Sequence, residues 1–209
     1  LMDQSGNEFI KELSTNNPAP GGGSVSAFAG AMGASLASMV AVLTHEKKEF
    51  FTRKEEMNDI GVEAQQLKDR LAFLVDEDTK AFNRVMEANR LSDGTDEERK
   101  IKESAIEESN KYAIQIPMET AELSFQVMEL SEKLVEWGNP NSVSDAGVAA
   151  EVGLAAVRGA CMNVKINLPG IDDQDYVSDM NAKVSSLIKN AESLQKTVFK
   201  KTMQVIEKV

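Results

Sequence analysis

PAPGGGSVSAFAGAMG, residues Pro18 to Gly33, decides how the rest of the chain is read. Three glycines between a proline turn and an alanine-rich helix can form a phosphate cradle, begin a membrane span, or line a pocket for another ligand with bare backbone. A Walker loop needs Lys and Ser/Thr after its last glycine, and GGGSVSA has no lysine. A dinucleotide fingerprint needs G-x-G-x-x-G after a strand, and no strand pattern precedes this run. What survives is a glycine loop feeding free backbone N–H groups into a helix N-terminus, where an anion or a carbonyl oxygen is attracted weakly but directionally. A tight turn needing positive φ is the plainer explanation of the same glycines.

Downstream, no residue from Leu13 to Thr44 is charged, and twelve of the twenty-one positions from Ser24 to Thr44 are Gly, Ala or Ser. The length alone permits a transmembrane helix. The run lacks the Leu, Ile and Phe density of a span, and the other helical patterns in the chain are amphipathic and charge-rich. A central buried helix is expected instead, with neighbours approaching closely over its small residues and no membrane as partner.

Upstream, Phe9, Ile10 and Leu13 suggest a short first helix that STNNPAPGGG ends. From Met57 the apolar residues follow a 3,4 alternation through Ile60, Ala64, Leu67, Leu71 and Leu74, resuming at Ala81 and Val85, the seam of one long helix. Position 78 of that seam is an aspartate, while Asp76 and Glu77 fall off it and read as solvated. SDGTDEE, Ser92 to Glu98, supplies a turn and an acidic helix start. Ile101, Ala105, Tyr112 and Ile116 carry the next helix, which Pro117 is expected to kink or end before the pattern resumes to Trp137. GNPNSVSD opens a second helix rich in small residues, and NLPG ends it. A last amphipathic helix runs from about Tyr176 to Glu207. No stretch alternates as a strand, so the chain reads as all α, a single-domain helical bundle over residues 1–209 with five to seven helices, two of them central and rich in small residues.

Composition bounds the function. With 209 residues, 42% hydrophobic and 27% charged, the chain belongs with ordinary globular domains. A net charge of −11 argues against nucleic acid, whose binders need a basic face. The single cysteine, Cys161, excludes an internal disulfide and a multi-cysteine metal site, and a cytoplasmic address is the default. LMDQSGNEFIKEL carries Asp3 and Glu8 and is expected not to be a basic secretory leader.

Several residues carry candidate chemistry. Burying an unpaired carboxylate costs several kcal/mol, so Asp78 should be paired with a cation, protonated or functional. Ser24-Val25-Ser26 and Ser142-Val143-Ser144 place hydroxyls at the starts of the two small-residue helices, as caps or as the edge of a ligand surface. Asn163, Lys165 and Asn167 lie at the end of the second, as helix-end chemistry or as polar contacts. His45 reads as an exposed helix end and Cys161 as a small core residue. No His/Cys/carboxylate set has metal-ligand spacing.

Three long segments in order, PAPGGGSVSAFAGAMGASLASMV, DEDTKAFNRVMEANRL and GNPNSVSDAGVAAEVGLAAVRGACMNVKINL, together resemble the cyclodeaminase/cyclohydrolase family of folate one-carbon enzymes over essentially the whole chain. The resemblance implies an all-helical homodimer that binds a tetrahydrofolate derivative as substrate, near the glycine loop and the subunit interface, with no prosthetic group. It implies conversion of 5-formiminotetrahydrofolate to 5,10-methenyltetrahydrofolate and ammonia, or hydrolysis of methenyltetrahydrofolate in the same pocket. Within it Asp78 and Asp145 take the carboxylate roles, and Gly21, Gly22, Gly23, Ser24 and Ser26 line the folate. Asn163, Lys165 and Asn167 add polar contacts, Lys165 suiting the glutamate carboxylates. The rival from another class is a non-catalytic helical assembly module, with Asp78 as a registry device.

Overall fold

The computed structural model describes residues 1–208. Helix α1 (Gly6–Leu13) opens with a capping box in which Ser5 and Glu8 satisfy one another's backbone N–H groups. Phe9 turns inward onto Phe28, ring centroids 5.3 Å apart, whereas Ile10, expected beside it, is 65% exposed. Successive residues diverge by about 100° around a helix, so one short turn buries one of the two.

The body is an up-down arrangement of α2 (Gly22–His45), α3 (Lys54–Asn89), α4 (Asp96–Trp137) and α5 (Val143–Asn167), with α6 (Gln174–Ile206) packed on α4 and α5. Polar pairs mark each antiparallel register. Gln65 Nε2 donates to Ser38 Oγ at 2.8 Å between α3 and α2, and Arg70 pairs with Glu119 at 2.6 Å between α3 and α4. Arg158 reaches Glu192, and Gln195 reaches Glu151, between α5 and α6.

The seam of α3 packs inward as its spacing requires: Met57, Ile60, Ala64, Leu67, Leu71, Leu74 and Ala81 are all buried. Leu71 and Leu74, both fully buried, contribute about 2 kcal/mol each by leaving water. α2 and α5 lie against one another because small residues face each other there. A Cβ on Gly33 would stand 3.1 Å from the Ala149 carbonyl oxygen and 3.1 Å from Val152 Cγ2, closer than side chains ordinarily approach. α2 is long and apolar enough to cross a membrane, but 56% of its most apolar window is buried inside the bundle.

Three expectations are corrected. Pro117 does not end its helix, for α4 runs unbroken through it. A proline lacks the N–H that would have met the carbonyl four residues back, at Ala113. Asn167 Nδ2 of α5 donates to that carbonyl at 2.9 Å, so the break is repaired from another helix. Ile101, expected on the buried face of α4, is 58% exposed, since the first turns of α4 project past the core and its buried residues begin at Ile114. Glu77 is not solvated: it is 7% exposed, accepting from Tyr112 Oη at 2.5 Å and from Lys80 Nζ at 2.7 Å. These two donors, Lys80 foremost, hold its carboxyl below the usual range. Asp76 beside it is only partly exposed, and His45, the last residue of α2, is half-buried.

Candidate active site

The projecting ends of α3 and α4 stand beyond the start of α2 and the end of α5, and the four enclose a cleft of about 320 Å³. That volume lies at the lower end of small-molecule sites. Gly21, Gly22 and Gly23 form one side at the start of α2. Asp78, Phe82 and Val85 come from α3, Asn110 and Ala113 from α4, and Asn163, Ile166 and Asn167 from α5. No Lys or Arg side chain lines the cleft among the described residues.

The glycines work differently from a turn. None of the described glycines has positive φ, and Gly21, the N-cap of α2, is extended at φ −134° and ψ −154°. With no side chain at Gly21, the cap residue itself covers none of the first N–H groups of α2, which leaves room there for the Asp78 carboxylate. Gly23 is glycine for a steric reason. A Cβ there would lie 2.5 Å from Asp78 Cγ and 2.7 Å from Oδ2, so only hydrogen lets the carboxylate approach the helix start. At Gly22 a Cβ would stand 3.3 Å from Asn163 Nδ2, which brings α5 to the same spot.

Asp78 is positioned from two helices. It sits on the α3 seam where the seam leaves the core and meets the cleft, and Ser24 Oγ, fully buried, donates to its Oδ2 at 2.9 Å. Burial raises its pKa above the usual aspartate value, and the hydrogen bonds from the Ser24 side chain and backbone only partly oppose that. No cation pairs with it among the described residues. A carboxyl with raised proton affinity at the edge of an acceptor-lined cleft is suited to taking and returning a proton.

The other sequence candidates divide. Ser26 is buried, back-bonded to the Gly22 carbonyl at 2.7 Å and pressed against Gly159, so it shapes the α2–α5 crossing rather than the cleft wall. Lys165 is exposed and outside the cleft. Asp145 is half-exposed in the first turn of α5, eighteen residues from Asn163 and so roughly 27 Å away along the helix. Within one chain it does not meet Asp78. Neither Ser24 nor Ser142 caps its helix: Ser24 Oγ goes to Asp78, and Ser142 Oγ donates to the Asn139 carbonyl at 3.1 Å. Cys161 is fully buried, and burial pushes its thiol up to about 11.

Sequence reasoning missed Asn110, Phe82 and Ile166. Asn110 falls in the charge-rich run IEESNKY, which reads as a solvated face, and its only signal is its place one turn before Ala113.

A family model described as formiminotransferase-cyclodeaminase matches residues 5–186. A methenyltetrahydrofolate cyclohydrolase of Methylorubrum extorquens is 34% identical over 199 residues, covering 93% of this chain and 96% of that protein. The formimidoyltransferase-cyclodeaminase of Mus musculus is also 34% identical, over 92% of this chain, but the match spans only 36% of the mouse protein. The crystal structure of formiminotetrahydrofolate cyclodeaminase from Thermotoga maritima superposes with a TM-score of 0.82 at 29% identity, covering 98% of this chain and 96% of that one. With an all-helical fold of that shape, and a glycine-edged cleft to which all three segments that first suggested it contribute, the chain belongs to the formiminotransferase-cyclodeaminase family of folate one-carbon enzymes.

Proposed function

We propose that the protein converts 5-formiminotetrahydrofolate to 5,10-methenyltetrahydrofolate and ammonia, with Asp78 moving the proton. The observation that carries this reading is the Asp78 carboxyl itself, half-buried, unpaired with any cation among the described residues, and held at the helix start by Ser24. N10 of the folate attacks the carbon of the formimino group, which reacts in its protonated amidinium form, and the new N10–C bond gives a tetrahedral centre bearing an amino group. Asp78 accepts the N10 proton and returns it to the departing nitrogen. The C–N bond then breaks, ammonia leaves, and the methenyl cation remains beside a carboxylate that stabilises it. Gly21, Gly22 and Gly23 let a flat bicyclic ring lie against backbone.

Hydrolysis of methenyltetrahydrofolate is the second reading, supported by the full-length similarity to the bacterial cyclohydrolase. It uses the same carbon and the same proton carrier, with water as nucleophile. Absorbance of methenyltetrahydrofolate, followed with ammonia release while purified protein is offered 5-formiminotetrahydrofolate, separates the two. Both signals rising together supports the cyclodeaminase. If neither rises and added methenyltetrahydrofolate disappears faster than in buffer, the hydrolytic reading replaces it; if nothing changes, both fail.

A homodimer is part of the proposal. Val25, Met32, Met39 and Leu43 lie at heptad spacing on the outward face of the uncharged α2, each at least 40% exposed. Such a stripe suits a second copy of the chain. Sedimentation equilibrium tests it, and a monomer at micromolar concentration would refute it. The buried free thiol of Cys161 suits a reducing cytoplasm, which localisation of a tagged chain would check.

A further inference from the structure

Three asparagines line the cleft, and each has its amide nitrogen committed to a main-chain carbonyl. Asn110 Nδ2 donates to Gly170 at 2.8 Å, Asn163 Nδ2 to Gly159 at 2.8 Å, and Asn167 Nδ2 to Ala113 at 2.9 Å. A carbonyl oxygen only accepts, so turning any of these amides over would set oxygen against oxygen. The orientation of all three is therefore dictated by their partners. Their Oδ1 atoms accept from no donor among the described residues, and none is a buried unsatisfied atom, so all three remain open to an incoming group. The pinning crosses between helices: Asn110 ties α4 to the turn after α5, and Asn167 ties α5 to the carbonyl that Pro117 releases on α4. With no Lys or Arg lining the cleft, this wall offers fixed acceptors and no positive charge.

We propose that Asn110, Asn163 and Asn167 form an acceptor wall that determines specificity by reading the donor edge of the ligand, the 2-amino and N3–H groups of a pterin. The inference rests on the folate reading and adds an orientation to it. The pterin amino edge faces the asparagines of α4 and α5, which turns the N5 and N10 side toward Asp78 on α3. Asp145, remote within the chain, is not needed to hold that edge. Ligands presenting acceptors at the same positions meet unpaired oxygens and are rejected.

The test is the ratio of dissociation constants, by calorimetry, for 5-formyltetrahydrofolate and its 2-desamino analogue. The wild-type protein is expected to prefer the amino form by about tenfold or more. Asn110→Ala should weaken the amino form while leaving the desamino form unchanged, shrinking the ratio about fivefold or more. Asn110 is only partly buried on the projecting end of α4, so the variant should fold; if its Tm falls by more than a few degrees, Asn163→Ala, whose amide bonds only within its own helix, gives the same readout. A wild-type ratio near one, or an equal weakening of both ligands by Asn110→Ala, overturns the acceptor wall while leaving the folate reading standing. If wild-type protein binds neither ligand, the folate reading fails and the acceptor wall with it.

Discussion

Replacing Gly23 with alanine isolates the close approach between α2 and Asp78. An alanine in a helix ordinarily stabilises by about 0.5–1 kcal/mol over glycine. Here the added carbon would start 2.5 Å from Asp78 Cγ and closer still to Oδ1, whereas ordinary contacts begin near 3.4 Å, so the carboxylate must retreat by more than about 1 Å. It is the free end of a side chain facing a cleft, so it can swing away and lose its bond to Ser24, at about 1 kcal/mol. Gain and loss nearly cancel, and Tm should stay within about 4 °C of wild type for a chain of this size. Activity should not survive so well, because a misplacement of about 1 Å at a reacting group costs roughly 100-fold. Differential scanning fluorimetry and steady-state methenyltetrahydrofolate formation measure the two quantities on the same preparation. Gly23→Ala combined with Asp78→Ser should be no slower than Asp78→Ser alone, since the glycine acts through the aspartate. Activity within about threefold of wild type in Gly23→Ala, or a double variant far below the Asp78 single, would refute the reasoning.

Asp78→Asn should lower turnover by about 100-fold or more while raising resistance to urea at neutral pH. The sign follows from its raised folded pKa: wild-type stability declines as pH climbs from the ordinary aspartate value through the folded one, and the asparagine variant lacks that decline. The two midpoints should converge in acid and part above it, and parallel curves would count against the assignment. Asn167→Ala should cost about 1–2 kcal/mol in urea melts, because it strands the Ala113 carbonyl. In a Pro117→Ala background, where the helix can supply its own N–H, the cost should shrink toward zero; an unchanged cost would mean that Asn167 stabilises by another route.

Much of the scaffold is legible from spacing. The α3 seam and the apolar positions of α6 pack as periodicity requires, with Met180, Val184, Ala191 and Val198 buried. Asp78 stands out because it interrupts such a seam, and the interruption marks where α3 leaves the core for the cleft. Periodicity fails where a partner comes from another helix. Glu77 reads as solvated from α3 alone, yet Tyr112, thirty-five positions on, covers it. Pro117 reads as a break because the local rule knows nothing of Asn167. Asn110 hides among charged neighbours, and the distance of Asp145 from the cleft within one chain is not legible, because a motif conveys order along the chain but not which end of a helix faces which cleft.

The burial of Cys161 has a practical corollary. Thiol reagents attack the thiolate, and a sulfur enclosed by the core with its proton affinity pushed up to about 11 is mute to maleimides at neutral pH. The native chain is thus already the blank background that site-directed labelling normally requires engineering to obtain. A cysteine placed at Ile166, 76% exposed on the rim of the cleft, would be a unique attachment point for a fluorophore. Ligand arrival could then be watched in real time without altering another residue.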